Sequence, residues 1–372
     1  MARDMTKGRI LPQMTAFAIP LILGNLFQIL YNATDSIIVG KFVGDDALAA
    51  VGTAGPIMNM AILFISGMCM GAGILMSTLY GAKDMKNLEK QISTTLIGGL
   101  VFSLLIAFLM IVFAVPILRL INSPEEIIGS AAIYLRVVFL GLIFTFVYNF
   151  LANTLRALGD SRTPLYFLVI SAFLNVAGDL LFVVTLKLGV MGSAVATVLS
   201  EALCCVCCGI YVKLKVPVLC LGKKWRVFER RVLWKTFSYG ITSALQQMCV
   251  QLGKILVQAI INVQGVAFIA AFTAINRVDD FVLSPEGNIA HATTTFIAQN
   301  RGAGDVERVK KGYRCGIIME LIFSVAVSVI VFFAAAPLMK MFVAEDSAEV
   351  VALGVYNAGN DEYCTGLFQG NG

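Results

Sequence analysis

Long apolar runs separated by short polar segments constrain this chain more than any other feature. Nine runs are long enough to cross a bilayer as helices. Their approximate limits are 14–40, 47–79, 92–115, 129–152, 163–186, 191–212, 236–262, 267–298 and 314–336. Only 14% of the 372 residues are charged, against about 25% in soluble domains, which leaves too little polar surface to cover a water-soluble core. The sequence therefore predicts an all-α protein that crosses the membrane many times.

The placement of the 28 Lys and Arg residues predicts the orientation of the chain. Most of them fall in segments on the same side of the membrane as the N-terminus, above all in 213–235 and 301–314. The segments on the opposite side hold Lys41, Arg119, Lys187 and Lys340. Because cytoplasmic loops carry the excess of positive charge, we expect a cell-membrane protein with a cytoplasmic N-terminus. The charges lie in short loops without interleaved aromatic residues, so nucleic acid is not an expected partner.

The chain also repeats itself at one constant offset. Gly81-Ala82-Lys83-Asp84 aligns without a gap with Gly302-Ala303-Gly304-Asp305, and residues 100–103 align with 321–324. Six spans separate equivalent points, so both copies enter the membrane from the same side and form parallel repeats. We predict a first six-helix lobe at 10–215, a cytoplasmic linker at 216–235 and a second lobe at 236–355.

At the end of the chain the repeat breaks down. A full second copy would extend well past Gly372, and the segment 356–372 is polar where the first copy is apolar. We expect an aberrant tail produced by truncation or a frameshift. Two complete copies would give six plus six helices, of which this chain would contain about nine complete spans.

Two carboxylates within the predicted spans are the first candidates for a functional site, because ionisable groups inside a bilayer are costly. Asp35 and Asp179 lie at a similar depth to Asn175 and Thr197, roughly 9–12 Å below the outer surface at 1.5 Å of rise per residue. Carboxylate, amide and hydroxyl oxygens at one level favour a site for Na⁺ or for a transferable proton. The alternative is that Asp35 and Asp179 pair with Arg136 and only hold helices together.

Other polar residues in the spans leave two interpretations open. Gln28, Tyr31 and Asn32 precede Asp35 by one to two turns and face either a substrate cavity or neighbouring helices as hydrogen-bond partners. Glu201 is a further intramembrane carboxylate without an assigned role. The predicted second lobe also carries charged residues, namely Lys254, Arg277, Asp279, Asp280 and Glu286. They either form ion pairs with one another, such as Arg277 with Asp280, or contact a second ion or the substrate.

The histidine and the cysteines suggest packing rather than chemistry. His291 is the only histidine, and its mid-span position favours hydrogen-bonded packing over a proton relay. The run Cys204-Cys205-Val206-Cys207-Cys208 has overlapping CxxC spacings, but it lies within the sixth helix and lacks a nearby histidine. We expect reduced cysteines that pack between helices and no metal site.

Several motifs resemble the multidrug and toxic compound extrusion (MATE) family. They are Gly44-Asp45-Asp46-Ala47-Leu48-Ala49-Ala50-Val51-Gly52, Tyr80-Gly81-Ala82-Lys83-Asp84, Leu155-Arg156-Ala157-Leu158-Gly159-Asp160 and Ala298-Gln299-Asn300-Arg301-Gly302-Ala303. The resemblance runs from about residue 10 to 355. It implies twelve helices in two six-helix lobes around a central cavity. It further implies a first-lobe cation site, whose residues here are Asp35, Asn175, Asp179 and Thr197. It also implies a bend of the first helix at Pro20 and a substrate path that includes Gln28 and Tyr31.

We therefore expect a secondary active antiporter, acting as a monomer, that exports amphipathic, cationic, drug-like compounds in exchange for H⁺ or Na⁺. No GxxxxGK[ST] motif occurs in the sequence, which disfavours an ATP-driven pump, and no cofactor or enzymatic activity is expected. The alternatives are a flippase for lipid-linked oligosaccharides, an intramembrane enzyme that uses Asp279, Asp280 or His291, and a non-functional transporter fragment.

Overall fold

A computed structural model describes residues 4–121, 123–216, 227–261 and 285–342. These four ranges contain nine helices and no strand. The helices are α1 Ile10–Phe42, α2 Asp45–Gly81, α3 Met85–Leu120, α4 Glu125–Ala157, α5 Arg162–Asp179, α6 Gly189–Lys215, α7 Arg230–Ile261, α8 285–302 and α9 Val306–Phe342.

Seven helices of the described chain are long and apolar enough to cross a membrane, namely α1 to α6 and α9. They coincide with seven of the spans predicted from the sequence, which confirms a multi-pass membrane protein. The predicted span at 236–262 forms α7, which carries more polar side chains and is not among the seven. Half of the span predicted at 267–298 and all of the tail at 356–372 lie outside the described residues.

Short polar residues fix where several helices begin. The Asp84 carboxylate caps α3 by accepting a hydrogen bond from the Asn87 amide at 3.2 Å. Asp305, the repeat equivalent of Asp84, caps α9 in the same way by accepting from the Arg308 amide at 2.8 Å. A carboxylate at this position stabilises a helix because it satisfies an amide in the first turn. The gapless alignment of the two copies thus extends to their local structure.

Helix α4 is the centre of the first six helices. It packs against α2, α3 and α6, while α5 packs against α1 and α6. Helix α4 buries large side chains against these neighbours, including Tyr134, Phe139, Phe146 and Phe150. Gly99 on α3 lies against the Phe146 ring with no room for a side chain. Small residues facing large ones bring these helices into close contact, as is common inside membranes.

Helices α2 and α7 meet along small residues on both sides. A Cβ atom on Gly67 would lie 2.6 Å from the Ala244 Cα, and Gly71 lies directly against the backbone of Gly240. Both helices thus present two small residues separated by three others, a pattern that lets helix backbones approach closely in membranes.

The described residues form two compact units. The first takes those up to Met248 together with 292–312, and the second takes 249–261, 285–291 and 313–342. In the second unit, the Ser324 hydroxyl on α9 donates a hydrogen bond to the Glu286 carboxylate on α8. The lobes at 10–215 and 236–355, and the linker at 216–235, remain predictions.

Within the first unit, α2 and α8 touch through a pair of contacts that the repeat relates to each other. A Cβ atom on Gly81 would lie 2.6 Å from the carbonyl carbon of Gln299, and one on Gly302 would lie 2.8 Å from that of Thr78. The repeat offset takes Thr78 to Gln299 and Gly81 to Gly302. The two contacts are therefore equivalent, as at an interface between two copies related by a two-fold axis.

The segment that precedes α1 is bound by the α8–α9 hairpin. Gln299 accepts a hydrogen bond from the Met5 amide at 3.0 Å, and Asn300 donates to the Met5 carbonyl at 3.2 Å. The Arg308 guanidinium donates to the Gly8 carbonyl at 2.8 Å and to the Met5 carbonyl at 3.1 Å.

The equivalent segment before α7 is bound in turn by the start of α3. The Val227 amide donates to the Ser93 hydroxyl, and the Glu229 amide donates to the Thr94 hydroxyl, both at 3.2 Å. Lys90 adds an ion pair to Glu229 at 3.4 Å. Each copy of the repeat therefore binds the leading segment of the other copy. We call these two reciprocal sets of bonds the crossed contacts.

Candidate functional site

The oxygen-rich cluster predicted from the sequence forms between α1, α5 and α6. Asp179 is fully buried, Asn175 is 1% exposed and Asp35 is 9% exposed. The Ser193 hydroxyl on α6 donates a hydrogen bond to the Asp35 carboxylate at 2.7 Å. The Asn175 amide donates to the Thr197 hydroxyl at 3.2 Å. The structure thus brings together the four side chains predicted from the sequence and adds Ser193.

Asp179 is the most unusual member of this cluster. Its carboxyl group neighbours that of Asp35. Neither of its oxygens accepts a hydrogen bond from the described residues, and the same holds for the Asn175 carbonyl oxygen. Buried acceptors without a donor are costly. These oxygens can bind a cation or share a proton, since either one replaces the missing donor.

A π-helical turn follows Asp179 directly and extends α5 over Leu180–Thr185. The Thr185 hydroxyl donates to the Leu180 carbonyl at 3.1 Å, across the wider turn. π-Helical turns often occur at functional sites because they rotate the side chains on either side relative to each other. No feature of the sequence had indicated this turn.

The described residues do not support the alternative in which Arg136 neutralises the two aspartates. Arg136 is exposed on α4. Within the part of the chain that the structure describes, no Lys or Arg forms an ion pair with Asp35 or Asp179. Two adjacent carboxylates without a protein cation carry uncompensated negative charge unless an ion or a proton joins them.

The polar residues of α1 lie along one face of this helix, which leads from Gln28 to Asp35. Tyr31 is half-buried and lies close to Gln28, whereas Gln28 and Asn32 are exposed. Tyr31 is also within electrostatic reach of both Asp35 and Glu201. The face therefore connects the aspartate cluster with exposed polar side chains.

Pro20 is buried on α1, and the helix runs without interruption from Ile10 to Phe42. It lies four turns before Asp35, which is roughly 22 Å along the helix axis. A proline inside a helix removes one backbone hydrogen bond and weakens the helix at that point. The helix is continuous through Pro20 in this structure.

Glu201 is the further intramembrane carboxylate of α6, to which the sequence assigns no role. Its carboxylate accepts a hydrogen bond from the Thr145 hydroxyl on α4, and the side chain is half-buried. On α6 it follows Thr197 by one turn, so it lies one turn further from the α5–α6 loop than the aspartate cluster.

The remaining candidates divide between described and undescribed residues. Arg277, Asp279 and Asp280, as well as the side chain of Lys254, lie outside the described part. His291 is half-buried on α8. In the run 204–208 all four cysteines are free thiols, three of them buried, and the Cys204 thiol donates to the Phe167 carbonyl at 3.2 Å.

Comparisons with known proteins agree with these features. The chain matches the MatE family over residues 20–181 and 242–356. It is 30% identical over 356 residues to the probable multidrug resistance protein YoeA of Bacillus subtilis, covering 93% of this chain and 76% of the relative. It is 31% identical over 311 residues to the probable multidrug resistance protein YpnP of the same organism, covering 83% of this chain and 69% of the relative.

A solved structure shares the fold. An outward-facing multidrug resistance MATE family transporter of the MOP superfamily matches with a TM-score of 0.86 at 23% identity, covering 95% of this chain and 79% of that one. Its fold has two lobes and twelve helices, as the sequence resemblance implied. The family match spans well over half of the chain. This protein therefore belongs to the MATE family, whose members are membrane transporters and not enzymes.

Proposed function

We propose that this protein is a secondary active antiporter of the cell membrane. It exports amphipathic, cationic, drug-like compounds while H⁺ or Na⁺ moves inward, with its N-terminus in the cytoplasm. The two Bacillus relatives carry names of probable multidrug resistance proteins, which supports drug-like substrates. The distribution of Lys and Arg supports the orientation.

One observation carries the proposal: Asp35 and Asp179 are buried side by side, and no Lys or Arg among the described residues forms an ion pair with either of them. Two adjacent carboxylates in a poorly polarisable environment strongly favour the uptake of a positive charge. A proton held between them, or Na⁺ bound to their oxygens and those of Asn175 and Thr197, satisfies that demand. The membrane potential contributes about 2.3 kcal/mol per 100 mV for each charge that moves inward.

Ion binding at this cluster acts on the position of α1. Asp35 belongs to α1, whereas Asp179 and Ser193 belong to α5 and α6. Without the ion the two carboxylates repel each other and push α1 away from α5, and with the ion they attract it. Pro20 is the point where α1 yields, because the helix lacks a backbone hydrogen bond there.

In an antiporter the binding site has to open alternately to the two sides of the membrane. The crossed contacts suit a state in which the site is closed to one of these sides. They consist of one ion pair and of hydrogen bonds between the backbone of the leading segments and side chains at helix ends. Each hydrogen bond is worth about 0.5–1.5 kcal/mol in net terms. Such bonds can break and form again within a transport cycle. The cation cluster and its α1 face come from a single chain, so we propose that the monomer transports.

The substrate contacts proposed are Gln28, Tyr31 and Asn32. They lie on the same face of α1 as Asp35, so a bound organic cation and the coupling ion share one helix. An aromatic ring and two amides suit an amphipathic cation, because the ring attracts positive charge and the amides accept hydrogen bonds. Movement of α1 on ion binding then changes the substrate contacts at the same time.

The test is ethidium transport by the purified protein in liposomes, driven by an imposed proton gradient in one arm and an Na⁺ gradient in the other. We expect one gradient to drive wild-type transport and Asp35→Asn to abolish the driven component. Asp84→Asn is the matched control, because it makes the same change at an exposed helix cap. Driven transport by Asp35→Asn at the wild-type rate, or no driven transport by the wild type, would refute the proposal.

A further inference from the structure

Glu201 is an intramembrane carboxylate that the Asp35–Asp179 cluster does not use. It lies near the middle of α6, one turn beyond Thr197. The Thr145 hydroxyl on α4 donates a hydrogen bond to it, and part of its side chain remains accessible. A glutamate that only joined two helices would be replaceable by glutamine, which makes the same hydrogen bond without the cost of a charge in the membrane.

The groups around Glu201 do not compensate its charge. The titratable side chains near it are Tyr31 on α1, Tyr134 on α4, and Cys204 and Cys205 on α6. All four side chains are uncharged when protonated and have no positive form. Among the described residues, no Lys or Arg forms an ion pair with Glu201. The positive charge that compensates this carboxylate therefore has to come from a bound ion or proton.

The ligand that fits this position is a proton. Metal cations such as Ca²⁺ and Mg²⁺ need about six oxygen ligands, and Glu201 with Thr145 supplies three. In the described part of the chain, no group of three or more His, Cys, Asp and Glu side chains is placed to hold a metal ion. A proton needs only one carboxylate oxygen, and part of the Glu201 side chain is accessible from outside the protein.

We propose that Glu201 is a proton-binding residue of the transport cycle, separate from the Asp35–Asp179 cluster and in addition to it. In each cycle its carboxylate forms one O–H bond with a proton from water on one side of the membrane. The same bond breaks on the other side, and the proton returns to water, so that one more positive charge moves per cycle. This inference rests on the proposed antiport function.

The experiment measures the stoichiometry of coupling. Liposomes with the protein receive a pH difference of one unit at zero membrane potential, with the same Na⁺ concentration on both sides. The ethidium gradient is then measured at steady state, because the charge of ethidium does not change with pH. Each coupled proton multiplies this gradient by ten per pH unit, as follows from equating the two free energies. We expect Glu201→Gln to lower the gradient tenfold per pH unit, and Glu201→Asp to retain it.

The control is Glu125→Gln, the same substitution at an exposed glutamate paired with Arg119, which should keep the wild-type gradient. An unchanged gradient in Glu201→Gln overturns the role of Glu201 while leaving the antiport proposal intact. If neither a pH nor an Na⁺ gradient drives the wild type, the antiport proposal fails as well, so the two failures are distinguishable.

A second measurement uses the wild-type protein and so does not depend on the folding of a variant. Dicyclohexylcarbodiimide reacts with protonated carboxyl groups inside membranes, and mass spectrometry identifies the labelled residue. We expect label on Glu201 that decreases as the pH is raised. Label on Asp35 or Asp179 with none on Glu201 at any pH would overturn the proposal.

Discussion

The α2–α8 contact gives a prediction whose size follows from the geometry. In Gly81→Ala the new Cβ would lie 2.6 Å from the Gln299 carbonyl carbon, and in Gly302→Ala it would lie 2.8 Å from the Thr78 carbonyl carbon. Ordinary contact begins at 3.4 Å, and the obstacle is backbone, which cannot rotate away. The carbonyl oxygens of Gln299 and Thr78 lie closer to the new methyl groups than the carbonyl carbons do. The two helices must therefore separate by more than about 0.8 Å, and overpacking of this kind costs about 1–3 kcal/mol.

Alanine also favours the helix over glycine by about 0.5–1 kcal/mol, so we expect each variant to lose about 1–2 kcal/mol of unfolding free energy. The two contacts share one gap, so a separation that admits one methyl group also admits the other. The double variant should therefore lose less than the sum of the two single losses.

The assay for these variants is reversible unfolding in mixed micelles. Gly209→Ala is the control, because Gly209 lies on α6 with nothing within 4 Å of the added Cβ, and this variant should gain stability. Wild-type stability in Gly81→Ala, or strictly additive losses in the double variant, would refute the reasoning.

Two further predictions concern the loops. Arg308→Lys removes a guanidinium that donates hydrogen bonds to the Gly8 and Met5 carbonyls and lies 5.3 Å from the centre of the Phe296 ring. A loss of about 1.4 kcal/mol should speed hydrogen exchange at the Met5 amide roughly tenfold. The control is Arg301→Lys at an exposed position, and equal exchange rates in the two variants would contradict the role of Arg308. The side-chain and backbone hydrogen bonds from Asn87 hold the pKa of Asp84 below its usual value of 3.8. Because the folded-state pKa is the lower one, this stabilisation is complete at neutral pH and is lost as the pH falls through the folded-state pKa. Asn87→Ala should raise the pKa of Asp84 towards 3.8 in an NMR titration and leave that of Asp4 unchanged, and an unaltered Asp84 pKa would count against this cause.

Several parts of the fold and site were readable from local sequence. The seven apolar helices follow from runs of about 20 predominantly apolar residues, since the bilayer imposes that length. The equivalence of Asp84 and Asp305 as helix caps follows from the gapless repeat, because a cap depends on residues within one turn. The shared depth of Asp35, Asn175, Asp179 and Thr197 follows from counting residues from the loops.

Other parts depend on how helices face one another. Ser193 was not predicted as a partner of Asp35, because any hydroxyl of α6 at that depth was an equal candidate before the rotation of the helix was known. The π-helical turn after Asp179 leaves no mark in the composition of Leu180–Thr185, which reads as an ordinary apolar run.

The crossed contacts could not be predicted from the sequence either, although the sequence shows the repeat to which the two leading segments belong. Sequence repetition shows that two segments have the same structure, but it does not show which copy each segment contacts. The leading segment at 4–9 had equal sequence grounds to bind its own copy or the other.

The sequence by itself determined that this chain is a helical membrane protein of two related copies with carboxylates inside the membrane, because run length, charge placement and spacing are properties of neighbouring residues. Only the tertiary structure decided that Asp35 and Asp179 lie together, with no Lys or Arg paired to them among the described residues. It also decided that Thr145 donates a hydrogen bond to Glu201 and that each copy binds the leading segment of the other. The physical reason is that helix rotation and helix pairing are set by close packing between distant residues, such as Gly81 against Gln299, and hydropathy carries no record of it.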